Sequence, residues 1–125
     1  ITSREVNELK FPGVMRTYVK LKDGVFTGGN LFILRSEIID QVLEKASQIV
    51  ERRKNPLAIA SLFGFGLMWR YLTRRLSIAA AEKRFFKVLG IKGKAIISPY
   101  AEVGVDVDKP SDLEIAQKYL LDLTL

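Results

Sequence analysis

The chain contains no cysteine and no histidine among its 125 residues. That excludes disulfide staples, a cysteine nucleophile, a histidine general base and any zinc centre built on thiolate or imidazole. A metal held here would sit on oxygen ligands, which points to magnesium, calcium or manganese. The lack of cysteine also fits a cytoplasmic protein. Long apolar runs are missing as well. The longest, residues 57–69, is broken by Ser61, Gly64 and Gly66. It falls short of the ~20 residues that span a bilayer, so no stable membrane insertion is expected. No secretory signal opens the sequence, and Ile1 is not an initiator methionine, which suggests a processed product or a piece of something longer. A net charge of +6 and a pI near 9.7 permit an anionic partner such as a nucleotide, nucleic acid or lipid surface. Basic and aromatic residues do not interleave into a stacking ladder, however, and the charge is modest for a dedicated nucleic-acid binder, so no nucleic-acid partner is expected.

Hydrophobic residues make up 48% of the chain and charged residues 27%, a globular composition for one domain of ordinary size. Spacing predicts a short helix over residues 3–10, ended by Phe11-Pro12-Gly13. Alternation over 17–21 predicts a strand, Asp23-Gly24 a turn, and the nearly all-apolar run 30–34 a second strand buried on both faces, the two forming a hairpin. Between turn and second strand, Phe26-Thr27-Gly28-Gly29-Asn30 sets paired glycines at a strand entrance. Such a pair serves either a bulge or the close approach of a ligand.

Ser36 is expected to cap a long amphipathic helix with Ile38, Ile39, Val42, Leu43, Ala46, Ile49 and Val50 on one face. It ends in Arg52-Arg53-Lys54, cations that suit a solvated helix terminus or a phosphate. Pro56 opens a further helix to about Phe63, and 67–76 carries an apolar stripe flanked by Arg70, Arg74 and Arg75. That stripe reads as core or lid, with a basic membrane-surface helix as the alternative. Ser77 caps a helix over 78–89, and Gly90 is a C-cap glycine. A strand over 94–98 and a break at Pro99-Tyr100 follow. The order is α/β, helix-rich and short of strands.

The closing segment, Gly104-Val-Asp-Val-Asp-Lys-Pro-Ser-Asp-Leu113, reads as a strand end, a turn and the start of a helix over 110–121. Lys109 precedes proline and is biased away from helical dihedrals, while Pro110 suits the first helical position. Asp106 and Asp108 then lie two apart on extended backbone, toward one side. Two carboxylates on one face ahead of a positive helix terminus suit a hard divalent cation. Helix-start duty, with aspartate accepting from free backbone N–H groups, is the other role open to them.

Three motifs, read together, resemble a known family: Phe11-Pro-Gly-Val-Met-Arg-Thr-Tyr-Val-Lys-Leu-Lys-Asp-Gly24, Phe26-Thr-Gly-Gly-Asn-Leu-Phe32 and the closing segment. The chain is similar over essentially its whole length to the C-terminal half of MobA-like NTP transferases, in the GT-A-like nucleotidyltransferase superfamily. The resemblance implies the C-terminal part of a Rossmann-like, three-layer α/β/α sheet. It also implies magnesium-dependent (or manganese-dependent) transfer of a nucleotidyl group from an NTP to a small phosphorylated acceptor, with release of pyrophosphate. Asp106 or Asp108 would be a metal ligand, Thr27, Gly28, Gly29 and Asn30 would line the acceptor pocket, and Arg16 and Lys20 would meet phosphate.

The family's N-terminal Gly-rich loop, with its following Arg and Lys and a first metal-binding Asp, has no counterpart in these residues. The glycine pairs at 28–29 and 64/66 do not sit between a strand and a helix with a lysine after them. The chain is therefore expected to be the second half of such a domain, inactive alone. An uncovered sheet edge and apolar faces should make it self-associate or pair with the other half. Two rivals stay open: a non-catalytic binding or regulatory module of the same fold, and a basic membrane-peripheral protein using 57–76.

Overall fold

In the computed structural model, which describes residues 1–52 and 55–124, the hairpin forms earlier in the chain than the apolar pattern predicts. Strand β2 (Val19–Leu21) turns through Lys22 and Asp23 into β3 (Gly24–Thr27), with Val19 opposite Phe26 and Leu21 opposite Gly24. The other edge of β3 takes β1 (Thr2–Ser3), so the sheet is antiparallel with order β1-β3-β2. The expected strand over 30–34 does not form: Leu31, Phe32 and Ile33 are 72%, 80% and 84% exposed, outside any regular element. The chain leaves the sheet at the paired glycines, and the Asn30 N–H donates to Val103 O at 2.8 Å instead of entering a ladder.

The expected strand over 94–98 likewise reduces to a single parallel bridge, Thr2 opposite Ser98. There the Ile1 ammonium donates to Ile96 O at 2.9 Å and the Ser98 N–H to Ile1 O at 2.8 Å. Both failures have one physical cause. An apolar strand needs backbone partners at its edges and cover on its faces, and the described residues supply neither. The observed fold is mixed α/β and helix-rich around a small antiparallel sheet.

The helices follow local chemistry closely. Ser3 Oγ accepts from the Val6 N–H to start α1 (Arg4–Lys10). Buried Asn7 donates from its amide to Thr2 Oγ1 and to Ser3 O, both at 2.7 Å, which locks α1 onto β1. Ser36 does not cap α2 (Ile39–Arg52). A 3-10 turn, Ser36–Ile38, intervenes, and the Arg35 carbonyl takes the Ile38 N–H, leaving the serine hydroxyl without that task. Arg53 and Lys54 of the expected basic end lie outside the described residues.

Asn55 Oδ1 accepts from Leu57 and Ala58 to begin α3 (Pro56–Phe63). After Gly64 comes α4 (Phe65–Leu72), which stops short of the predicted Leu76. The Arg75 and Leu76 N–H groups both return to Arg70 O and close it off. Helix α5 (Ile78–Leu89) is held at its start by two acceptors, Ser77 Oγ on Ala80 and Asp23 Oδ2 on Ile78. Gly90, at φ 70°, ends it in the left-handed conformation that favours glycine. Helix α6 (Pro110–Thr124) closes the chain.

Little of this is buried. Among the described residues the apolar core is Phe11, Phe26, Ala60, Leu76, Leu89, Ile91 and Ala101. The accessible surface is 9840 Å², whereas a folded monomer of this mass exposes about 6,700 Å². No helix among the described residues is long and apolar enough to cross a membrane.

Candidate functional site

Three segments far apart in sequence meet at the 3-10 turn Ala101–Gly104. Val103 O accepts the Asn30 N–H, and Gly104 O accepts Arg16 Nη1 at 2.8 Å. A Cβ added at Gly104 would lie 3.1 Å from Gly28 O and 3.2 Å from Arg16 Nη1. Glycine at 104 is thus what lets the paired-glycine loop and the arginine close on the turn. A Cβ at Gly29 would meet Val103 O at 3.4 Å, an ordinary contact. The structure therefore brings together Arg16, Gly28, Gly29 and Asn30 from the sequence-derived site, against the start of the closing segment.

Arg16 is the least satisfied member. Its Nε is buried and has no hydrogen-bond partner. With Phe11, Val14, Val105, Asp106, Asp112 and Ile115 it lines a cavity of about 30 Å³, the size of a water molecule.

The aspartates divide their duties. Asp112 Oδ2 accepts from the backbone N–H groups of Asp108 (3.2 Å) and Lys109 (2.9 Å). Helix α6 begins at Pro110, so this is the reach-back of a capping box, with Lys109 in the cap position. Helix-start duty thus falls to Asp112. The exposed carboxylates of Asp106 and Asp108 make no hydrogen bond or ion pair with the described residues. No three acidic side chains converge there as a metal cage among the described residues. Two free carboxylates suit magnesium nonetheless, because that ion binds through one or two carboxylates and takes its remaining ligands from water and phosphates.

The other two residues lie apart. Thr27, half-buried opposite Thr2, faces a different cleft of about 220 Å³ between the hairpin and α5, lined by Val19, Leu21, Phe26, Ile78 and Ala81 among others. Lys20 is exposed on β2, on the sheet face opposite Val19 and Leu21, and makes no hydrogen bond or ion pair among the described residues.

Sequence reasoning missed the clamp behind the site. The Tyr119 hydroxyl donates to Glu102 Oε1 at 2.6 Å, Lys10 Nζ lies 3.5 Å from the same oxygen, and its charge stands 4.7 Å from the Tyr119 ring centre. The Phe11 ring packs at 5.8 Å from Tyr119. The trio joins α1, the 3-10 turn and α6. The Tyr119 hydroxyl, then a backbone N–H, then Lys10 hold the Glu102 carboxyl below the usual carboxylate range. Tyr119 and then Glu102 hold the Lys10 ammonium above its ordinary value. Seventeen residues separate Glu102 from Tyr119, and no local pattern announces the pair. Asp112 did carry a signal: an acid three residues after the cap.

No family model and no curated protein matches the chain. A solved structure is similar: a hypothetical transferase from Thermus thermophilus, 43% identical, with a TM-score of 0.82. The match covers 90% of this chain and 48% of that one, so the chain spans about half the length of the protein it resembles.

Proposed function

We propose that the chain is the acceptor- and metal-binding half of a nucleotidyltransferase, which moves a nucleoside monophosphate from an NTP to a small phosphorylated acceptor in the cytoplasm. The observation that carries this reading is the meeting of Arg16, Gly28, Gly29 and Asn30 at Gly104, two and four residues before two carboxylates with no partner among the described residues. The similar Thermus thermophilus protein, described as a hypothetical transferase, supports it.

In the reaction an acceptor phosphate oxygen attacks the α-phosphorus, the bond to the bridging β-phosphate oxygen breaks, and pyrophosphate leaves. Magnesium on Asp106 or Asp108 would supply charge neutralisation for the phosphates. The chain's own residues position the acceptor. The paired glycines let backbone approach a ligand closely, and Thr27 and Asn30 bound that loop. Arg16, fixed through Gly104 O, holds a permanent cation beside it, while Lys20, expected as a second phosphate partner, lies apart on β2.

The test is a single polypeptide joining the part of the Thermus thermophilus protein outside the match to this chain. Pyrophosphate release is measured with four NTPs, magnesium and a panel of sugar phosphates and other phosphorylated acceptors. Metal-dependent release that falls at least about 100-fold in Asp106→Asn or Asp108→Asn is expected. Release untouched by both substitutions, or no release with any acceptor, would overturn the reading and favour a non-catalytic binding module.

A further inference from the structure

The surface exceeds that of a folded monomer by about 3,100 Å². Standard protein interfaces bury about 1,200–2,000 Å² counted over both partners. An excess of this size on one side belongs to a domain core cut open. Two stretches dominate it in chemistry. Leu31, Phe32, Ile33 and Leu34 form a continuous apolar run with no backbone hydrogen bond among the described residues. Ile96 and Ile97 are 65% and 53% exposed. Ile96 O and the Ser98 N–H are turned toward Ile1, so the N–H and carbonyl of Ile97 face the open edge. Runs of this composition are those of strands covered on both faces.

We propose that residues 31–34 and 96–98 are strands of a sheet completed by a second α/β unit of about 120 residues, whose strands pair with them and whose helices cover their side chains. The size follows from the similar structure. Ninety per cent of this chain equals 48% of that one, so about 120 of its residues lie outside the match. A second copy of this chain is the poorer occupant. It would present the same two unpaired runs and could satisfy one edge only by repeating it. The inference shares with the functional proposal the reading of the chain as half of a transferase domain, but its test needs neither nucleotide nor metal.

The unmatched part of the Thermus thermophilus protein, affinity-tagged, is co-expressed with the 125-residue chain. The complex is sized by sedimentation and its amide hydrogen exchange compared with that of the chain alone. A one-to-one complex is expected in which the amides of 31–34 and 97 slow by at least about 100-fold. Phe32→Asp and Ile97→Asp, both at exposed positions, are expected to leave the circular dichroism of the free chain unchanged and to weaken the complex at least about tenfold. No recovered complex would overturn the proposal. So would a complex in which these amides exchange as in the free chain, or a homodimer that excludes the probe. A protected complex that releases no pyrophosphate would leave this inference standing and remove the functional one.

Discussion

Phe26 and Phe32 stand six residues apart, yet one is 7% exposed and the other 80%. Phe26 lies on β3, with β1 on one side, β2 on the other and the apolar cleft toward α5 in front. Phe32 lies past the paired glycines, where the described residues supply no neighbouring strand. Residue type and local pattern are nearly alike, so what separates them is whether the 125 residues contain the partners. The same division runs through the molecule. The corner built from α1, β1 to β3, the 3-10 turn at 101–104 and the start of α6 pairs most of its polar groups, leaving Asn7 Oδ1 and Arg16 Nε without a partner, and buries Thr2, Asn7, Phe11 and Ala101. The runs at 31–34 and 96–97, and the outer sides of α3 and α4 with Leu57, Phe65, Trp69 and Leu72, stay open.

Substitution at the two phenylalanines sharpens that contrast most. Phe26→Ala is expected to cost about 3–5 kcal/mol in urea unfolding, enough to undo a core this small. Phe32→Ala is expected to stay within about 0.5 kcal/mol of the parent chain. A Phe32 loss near that of Phe26 would mean that the open run is packed in the free chain. Gly104→Ala comes next, at about 1–3 kcal/mol, because the added carbon meets Gly28 O and the Arg16 guanidinium rather than open space. Unchanged unfolding would show that the meeting of the motifs is loose.

Among the substitutions within the closed corner, Tyr119→Phe should have the smallest effect, about 1 kcal/mol at neutral pH, since Glu102 is partly exposed to solvent. Its sign with pH is definite. The folded state holds the Glu102 carboxyl below its ordinary value, so its contribution is full above the usual carboxylate range and is lost as pH falls through the lowered value. Parent and variant unfolding curves should therefore converge in acid. A gap that persists there would assign the loss to packing against Phe11 instead of to the carboxylate.

Much of the helical frame was legible because its signals are local. Ser77 caps α5 and Gly90 takes the left-handed cap as read from the sequence, the Ser36 cap does not form, and Ser3 and Asn55 accept from two further helix starts. The turn after Leu21 is where Asp23-Gly24 placed it, although the returning strand is 24–27 and not 30–34. The motifs at 16, 28–30 and 104 were each visible, but their meeting depends on contacts 73 to 88 residues apart that no periodicity encodes. The misreadings at 30–34 and 94–98 share another origin. Those runs have the composition of buried strands, and burial requires atoms these residues do not contain.

The claim that this corner is a metal and phosphate site is met most directly by manganese-induced broadening of backbone amide resonances in the 125-residue chain, with inorganic pyrophosphate present. Selective broadening at Asp106 to Asp108 and across Gly28 to Asn30, abolished in the Asp106→Asn, Asp108→Asn double variant, is the expected result. Broadening spread evenly over the chain's carboxylates, or unchanged in the double variant, would contradict it.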